Sequence, residues 1–240
     1  LTNITSLSYN TVQGWNLNSG FSFTKFNEEN GKYTRLKSTF NYGLAEDRLR
    51  VSGNYIHRFN TQNYATLNIS GGTAVSQFNE NEPITKLVNS ISTLFFKNNF
   101  MKLYNKEFAT IAYGQNVANG IYLSGSVGYE QRKNLFNNTD FVIIKDKDNF
   151  SSNNPLDPAD YITSAFATHH LSKASIGTRI NFGQKYISRP DGKINVRNSK
   201  YPTLFFTFEK AFAATDKTYE YEQISGRLSY SKVLGNKGTF

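Results

Sequence analysis

Three histidines (His57, His169 and His170) and five aspartates (Asp140, Asp146, Asp148, Asp157 and Asp160) are the side chains whose types could move a proton or hold a metal ion. The chain has no cysteine, which excludes a thiol nucleophile, a thiolate zinc site and a disulfide framework together and leaves the redox compartment open. His169 and His170 are adjacent. In an extended chain such neighbours point to opposite sides, so the pair is a poor start for a metal site. His57 falls between Ile56 and Arg58 on the alternation that carries Tyr55 and Phe59, the place of a packed or interfacial histidine. The aspartates lack the D-x-[DN]-x-[DN]-G spacing and distal Glu of a calcium loop, which leaves a solvated acidic loop. No G-x-S-x-G elbow, P-loop, dinucleotide fingerprint or H-E-x-x-H occurs. No catalytic residue, cofactor or metal is therefore expected. A surface-exposed hydrolase, which would need His169 or His170 in a rim constellation, is the weakest alternative.

The elements that would carry these side chains repeat one pattern. In "GWNLNSGFSFTKF" Trp15, Leu17, Phe21 and Phe23 recur with period two, and "YTRLKSTFNYGL" sets Leu36, Phe40, Tyr42 and Leu44 against Arg35, Lys37, Thr39 and Asn41. "RLRVSGNYIHRF" repeats it with Leu49, Val51, Tyr55 and Phe59, and "YATLNISGGTAVSQF" with Leu67, Ile69 and Val75. Asn119-Gly120 separates two such runs and reads as a type I′ hairpin turn. After it, Ile121, Leu123, Val127 and Tyr129 share one face; later runs offer Ala174, Ile176, Ile180 and Phe182, then Leu204, Phe206 and Phe208, then Ile224, Leu228 and Tyr230. With a first strand around 4–10, about ten strands result. Many are 11 to 15 residues long, against the usual ~5–6 in globular sheets and the ~9–11 needed to cross a bilayer.

These lengths predict an all-β, antiparallel transmembrane outer-membrane β-barrel occupying 1–240 as a single domain, and "VLGNKGTF" reads as the start of a further strand, so the chain is expected to be part of a larger barrel. A mean hydropathy of −0.52 does not argue against it, since only alternate residues of a barrel strand meet lipid. Phe and Tyr, 20 and 15 against one Trp, suit lipid-facing strands and interfacial girdles. Leu123, Val127, Tyr129, Ile176, Ile180, Phe206 and Phe208 are the candidate membrane-facing residues. Arg35, Lys37, Arg50, Arg58 and Arg179 are candidate lumen-facing cations. The net charge of +9 is spread singly, without the dense basic cluster of a nucleic-acid surface. Short turns near 27–31, 60–63 and 119–120 alternate with longer connections, and 133–170 is the longest, expected outside the cell. One segment departs from period two. In 83–97, Ile84, Leu87, Val88, Ile91 and Phe95 fall at helical spacing after Pro83, predicting a short amphipathic helix that caps or plugs the barrel on the same side as 133–170.

The segments "PITKLVNSISTLFFKNNFMKLYNKEF", "NGIYLSGSVGYEQRKNLFNNTDF", "SSNNPLDP", "INFGQKYISRPDGK", "SKYPTLFFTFEKAF" and "LGNKGTF", in this order, resemble an uncharacterised outer-membrane barrel family of diderm (Gram-negative) bacteria. Its members usually carry an N-terminal carboxypeptidase-like regulatory domain ahead of a large barrel. That domain has no protease site, so the resemblance implies a cell-envelope location and a fold but no peptidase. The expected role is non-enzymatic: a structural or accessory subunit of an outer-membrane assembly, secretion or uptake complex, with the lipid bilayer and other outer-membrane or periplasmic proteins as partners and no nucleic acid. The alternative is a transport pore for small, possibly anionic, solutes.

Overall fold

A computed structural model describes residues 2–79, 83–144, 149–189, 192–196 and 200–231. Asp146, Asp148 and the terminal "VLGNKGTF" lie outside the described residues. Period-two alternation becomes β1 (Thr2–Asn10), β2 (Gly14–Phe26), β3 (Tyr33–Gly43), β4 (Arg48–Arg58) and β5 (Thr66–Gln77). The helix α1 (Lys86–Phe96) follows, then β6 (Leu103–Ala118), β7 (Ile121–Asn134) and β8 (His169–Asn181). A small hairpin of β9 (Tyr186–Arg189) and β10 (Gly192–Asn195) precedes β11 (Thr203–Phe212) and β12 (Tyr221–Ser229). Among the described residues no helix is long and apolar enough to cross a membrane, which says nothing of strands.

Ten strands form one antiparallel sheet in the order β1-β2-β3-β4-β5-β6-β7-β8-β11-β12, every pair of neighbours but β8 and β11 consecutive in sequence, with β9 and β10 paired separately. The all-β, antiparallel expectation holds; among the described residues the sheet is not closed on itself, so these strands alone do not complete a barrel. Closure needs the first and last strands to pair, and among the described residues β1 and β12 each have a single neighbour.

Two local features depart from the sequence pattern. At the Asn119-Gly120 turn only Gly120 has a positive φ, 77°, so the turn is not type I′. The register shifts between Asn116 and Ala118, a bulge that absorbs the difference. In β5, Gly72 has φ +131°, and a Cβ there would stand 2.3 Å from the Val51 carbonyl oxygen. Only glycine fits that approach. The pairing of β4 with β5 stops at Ser52 and Gly72, beyond which β5 pairs with β6 alone to Gln77 and Leu103.

The connections sort by end. One end has the short segments 27–32, 59–65 and 119–120 and the β9–β10 hairpin; the other has 11–13, 44–47, the α1 segment 78–102, the loop 135–168 and 213–220. The buried apolar core lies at this second end and not in the middle of the sheet: Val12, Met101 and Leu103, flanked by Val75, Ile84 and Leu135.

Candidate functional site

The site is the polar face of the sheet where α1 and the loop 135–168 fold over it. Register fixes which side chains share a face. Phe23, Leu36, Tyr55, Ile69, Ile111 and Val127 are successive cross-strand partners from β2 to β7 and all are exposed. The opposite face carries Asn16, Asn18, Arg35, Lys37, Thr39, Asn41, Ser52 and Asn54.

The candidate membrane-facing residues fall on the apolar face. Leu123, Val127, Tyr129, Ile176 and Phe206 are exposed, whereas Ile180 and Phe208 are half-buried. His57 is also there, 2.8 Å from the Thr34 hydroxyl and between the rings of Tyr55 and Phe59. His170 packs on Tyr129 while its neighbour His169 is buried on the other side. No cluster of three metal-ligating side chains occurs among the described residues.

The five candidate cations differ in environment. Arg50 is fully buried and makes a bidentate pair with Glu46, at 2.8 and 2.5 Å, while its Nε donates to Asn105 Oδ1 at 2.7 Å. Burial of that charge is tolerable because both the charge and the donors are matched. Arg58 lies over the rings of Tyr33 and Tyr64, and Arg179 over Tyr122. Arg35 donates to Thr24 Oγ1 at 3.2 Å. Arg35 and Lys37 are exposed, and neither pairs with a carboxylate among the described residues.

The cap is held by amides. Thr85 caps the N-terminus of α1 by accepting from the Val88 N–H, and Lys97, with φ 54°, ends it. The helix docks by its polar side: Asn89 and Thr93 are fully buried and Leu94 nearly so. Asn89 donates to the Tyr9 carbonyl at 3.3 Å and accepts from the Met101 N–H at 3.1 Å, and Ser90 Oγ accepts from the Tyr9 N–H at 2.8 Å. The apolar residues of the expected cap or plug helix are not its docking side. Leu87, Val88, Ile91 and Phe95 face away from the molecule, Leu87 70% exposed, and only Ile84 reaches the core. Helical periodicity reports an apolar stripe but not what covers it.

Loop 135–168 completes the cap. Asn153 accepts from the Leu103 N–H at 2.9 Å and donates to the carbonyls of Leu103 and Leu135. Asn138 and Thr139 donate backbone N–H bonds to the Thr11 carbonyl, and Ile143 donates to that of Leu94. Lys102 donates to Ser151 Oγ at 2.7 Å and to the Ser152 carbonyl at 2.5 Å. Burial lowers its ammonium to about 8. Asp160, expected in a solvated acidic loop, accepts from the N–H groups of Ile162 and Thr163. These bonds hold its carboxyl below the usual range and make it a turn residue.

Beneath α1, a cavity of about 340 Å³ opens on the polar face, bounded by Asn10, Gln13, Asn16, Asn18, Asn41 and Gln77 with Arg50 and Lys86. The amides bond one another in a chain: Gln13 to Asn41 at 2.6 Å, Asn41 to Asn18 at 3.0 Å, Asn18 to Asn16 at 2.9 Å. Lys86 donates to Asn18 at 2.8 Å, tying the helix to the floor. The sequence reading missed these amides because isolated Asn residues on strands look like generic polar positions. Only their convergence at one end gives them a role.

No curated protein and no solved structure matches this chain. A family profile does, over residues 1–240, described as the C-terminal domain of a family of unknown function, DUF5686. The chain therefore belongs to the DUF5686 C-terminal domain family.

Proposed function

We propose that this chain is a wall segment of an outer-membrane β-barrel, with its apolar face toward lipid and its capped polar face toward the interior, acting as a non-catalytic structural or accessory component of an outer-membrane assembly. One observation carries the reading. All ten strands of the sheet bear large exposed apolar side chains on the same face, from Leu7 on β1 to Ile224 and Leu228 on β12. Ten strands at ~4.8 Å spacing, apolar over ~27 Å from Ile121 to Tyr129 at ~3.4 Å per residue, make a surface on the order of 1,000 Å². Soluble monomers rarely expose contiguous apolar patches above ~300–600 Å². With strands tilted by ~40°, the same run spans ~21 Å of membrane normal, close to the ~25 Å apolar band of such barrels.

The two longest connections, 78–102 and 135–168, leave the same end of the sheet, in keeping with the one-sided long loops of outer-membrane barrels. The buried amide cap favours a closed, structural barrel over an open pore. The free edges of β1 and β12 call for further strands, whose backbone groups would satisfy the unpaired N–H and C=O groups there. The test is extraction of the full-length protein from its native membrane. Retention in the outer-membrane fraction through alkaline carbonate, release by mild detergent and negligible planar-bilayer conductance are expected; release by carbonate would overturn the membrane reading, and steady single-channel conductance would overturn the closed one.

A further inference from the structure

On the long-connection end, separate from the amide cavity, six side chains from five segments converge: Phe78 after β5, Tyr104 on β6, Arg132 on β7, Phe166 and His169 at the entry to β8, and Tyr219 between β11 and β12. They line a cleft of about 240 Å³. Phe78, Tyr104 and Phe166 meet edge to face with centroids 5.5 to 6.1 Å apart. His169 has the edge of Phe166 on one side and the face of Tyr219, 3.6 Å away and nearly parallel, on the other.

The polar groups of this cleft are unevenly satisfied. His169 is 4% exposed. Its Nδ1 lies 2.8 Å from the Ala167 carbonyl oxygen, which can only accept, so Nδ1 carries the proton and Nε2 of the neutral ring is a bare acceptor. Nε2 has no hydrogen-bond partner, an arrangement buried groups rarely tolerate. Arg132, by contrast, is balanced: its Nε donates to Glu130 Oε1 at 2.7 Å, and Glu130 also faces Lys173 at 3.5 Å.

We infer that this cleft binds one neutral sugar ring, whose C–H face packs on the aromatic wall and one of whose hydroxyls donates to His169 Nε2. A pure hydrocarbon would leave the acceptor unpaired. A charged ligand would meet an arginine whose charge is already matched. The volume lies below the ~300–1,000 Å³ usual for drug-sized ligands and suits a single ring. Entry runs past the exposed Leu156, and Tyr219, on a 3-10 turn with exposed neighbours Lys217 and Thr218, gives up its stacking position to the sugar. The inference does not depend on the membrane reading.

The test is saturation-transfer NMR on the purified full chain with the methyl glycosides of glucose, galactose, mannose and N-acetylglucosamine, in an amine-oxide detergent whose headgroup carries no sugar. At least one glycoside is expected to receive saturation at its ring protons. His169→Phe, which keeps an aromatic ring but removes the acceptor, is expected to weaken that binding ten-fold or more, and Tyr219→Ala to preserve or tighten it, with circular dichroism checking that both variants fold. Absence of signal from all four glycosides, binding insensitive to His169→Phe, or loss of binding in a folded Tyr219→Ala variant would each overturn the inference.

Discussion

Val127 distinguishes lipid from water as the neighbour of the apolar face. It sits midway along β7, is 61% exposed and pairs with Ile111 and Ala174, so a lysine there meets no clash. In water, an exposed Val→Lys change with no packing to lose stays within about 0.5 kcal/mol. Near the middle of a bilayer the ammonium loses its hydration, and the cost is about 2–4 kcal/mol, falling to ~0–1 at the interface. On the proposed lipid reading, the apolar run of β7 from Ile121 to Tyr129 puts Val127 inside the band, and about 2 kcal/mol is expected. That is roughly a thirty-fold change in the folded-to-unfolded ratio. The assay is a urea titration of the full-length protein folded into phospholipid vesicles, wild type against Val127→Lys. The control is Thr39→Lys on the polar face, where only the 2.8 Å hydroxyl contact to Ser52 is lost and less than about 1.5 kcal/mol is expected. Equal and small effects at both positions would refute the assignment of the apolar face to lipid.

Replacing Asn89 by Ala strands the Met101 N–H in the buried cap and leaves the Tyr9 carbonyl with Ser90 Oγ, at 3.3 Å, as its remaining donor on α1. A cost of about 1–3 kcal/mol is expected, read as faster hydrogen exchange across 83–102, and unchanged protection would show the docking to be incidental. Gly72→Ala forces a Cβ to within 2.3 Å of the Val51 carbonyl at a positive φ, and a loss of several kcal/mol, on the order of the largest single-residue effects, is expected in denaturant titration. Lys102 gives a pH signature. Its folded value of about 8 lies below the ordinary 10.5, so between those values the unfolded chain holds the extra proton and stability rises with pH, being lost as pH falls through about 8. Proteolysis of the 149–160 loop is expected to slow from pH 7 to 10 relative to a Lys102→Met variant, and an identical dependence in both would exclude Lys102 as the source.

How much of this was legible in the sequence depends on what each residue faces. Phe23, Leu36, Tyr55 and Ile69 announced their strands because a two-sided sheet writes its pattern directly into alternation. The four-residue strands β9 and β10 went unseen because "YISRPDGKIN" is too short for a period to register and is broken by Pro190 in its middle. The turn at Asn119-Gly120 was found in place but misjudged in type, because Asn tolerates a positive φ without requiring it, and the bulge before Ala118 removed the need. The helix was equally visible, yet its orientation was not. An apolar stripe is ordinarily the buried side, and only the backbone groups of Tyr9, waiting for Asn89 and Ser90, explain why α1 docks the other way. Asn153 sat in a loop that reads as solvated, and its burial against Leu103 and Leu135 is a property of the loop's return path.

The contact of α1 with β1 also has a geometric consequence. Tyr9 faces Trp15 on β2, and its outward N–H and C=O are already taken by Ser90 and Asn89. A strand arriving at this edge finds no free ladder positions at Tyr9 and must end its pairing short of it. The helix is thus an end-stop for strand addition. Because the stagger at which a sheet closes sets the tilt of every strand and the width of the barrel, a few side-chain bonds at one corner limit the registers available to the whole wall.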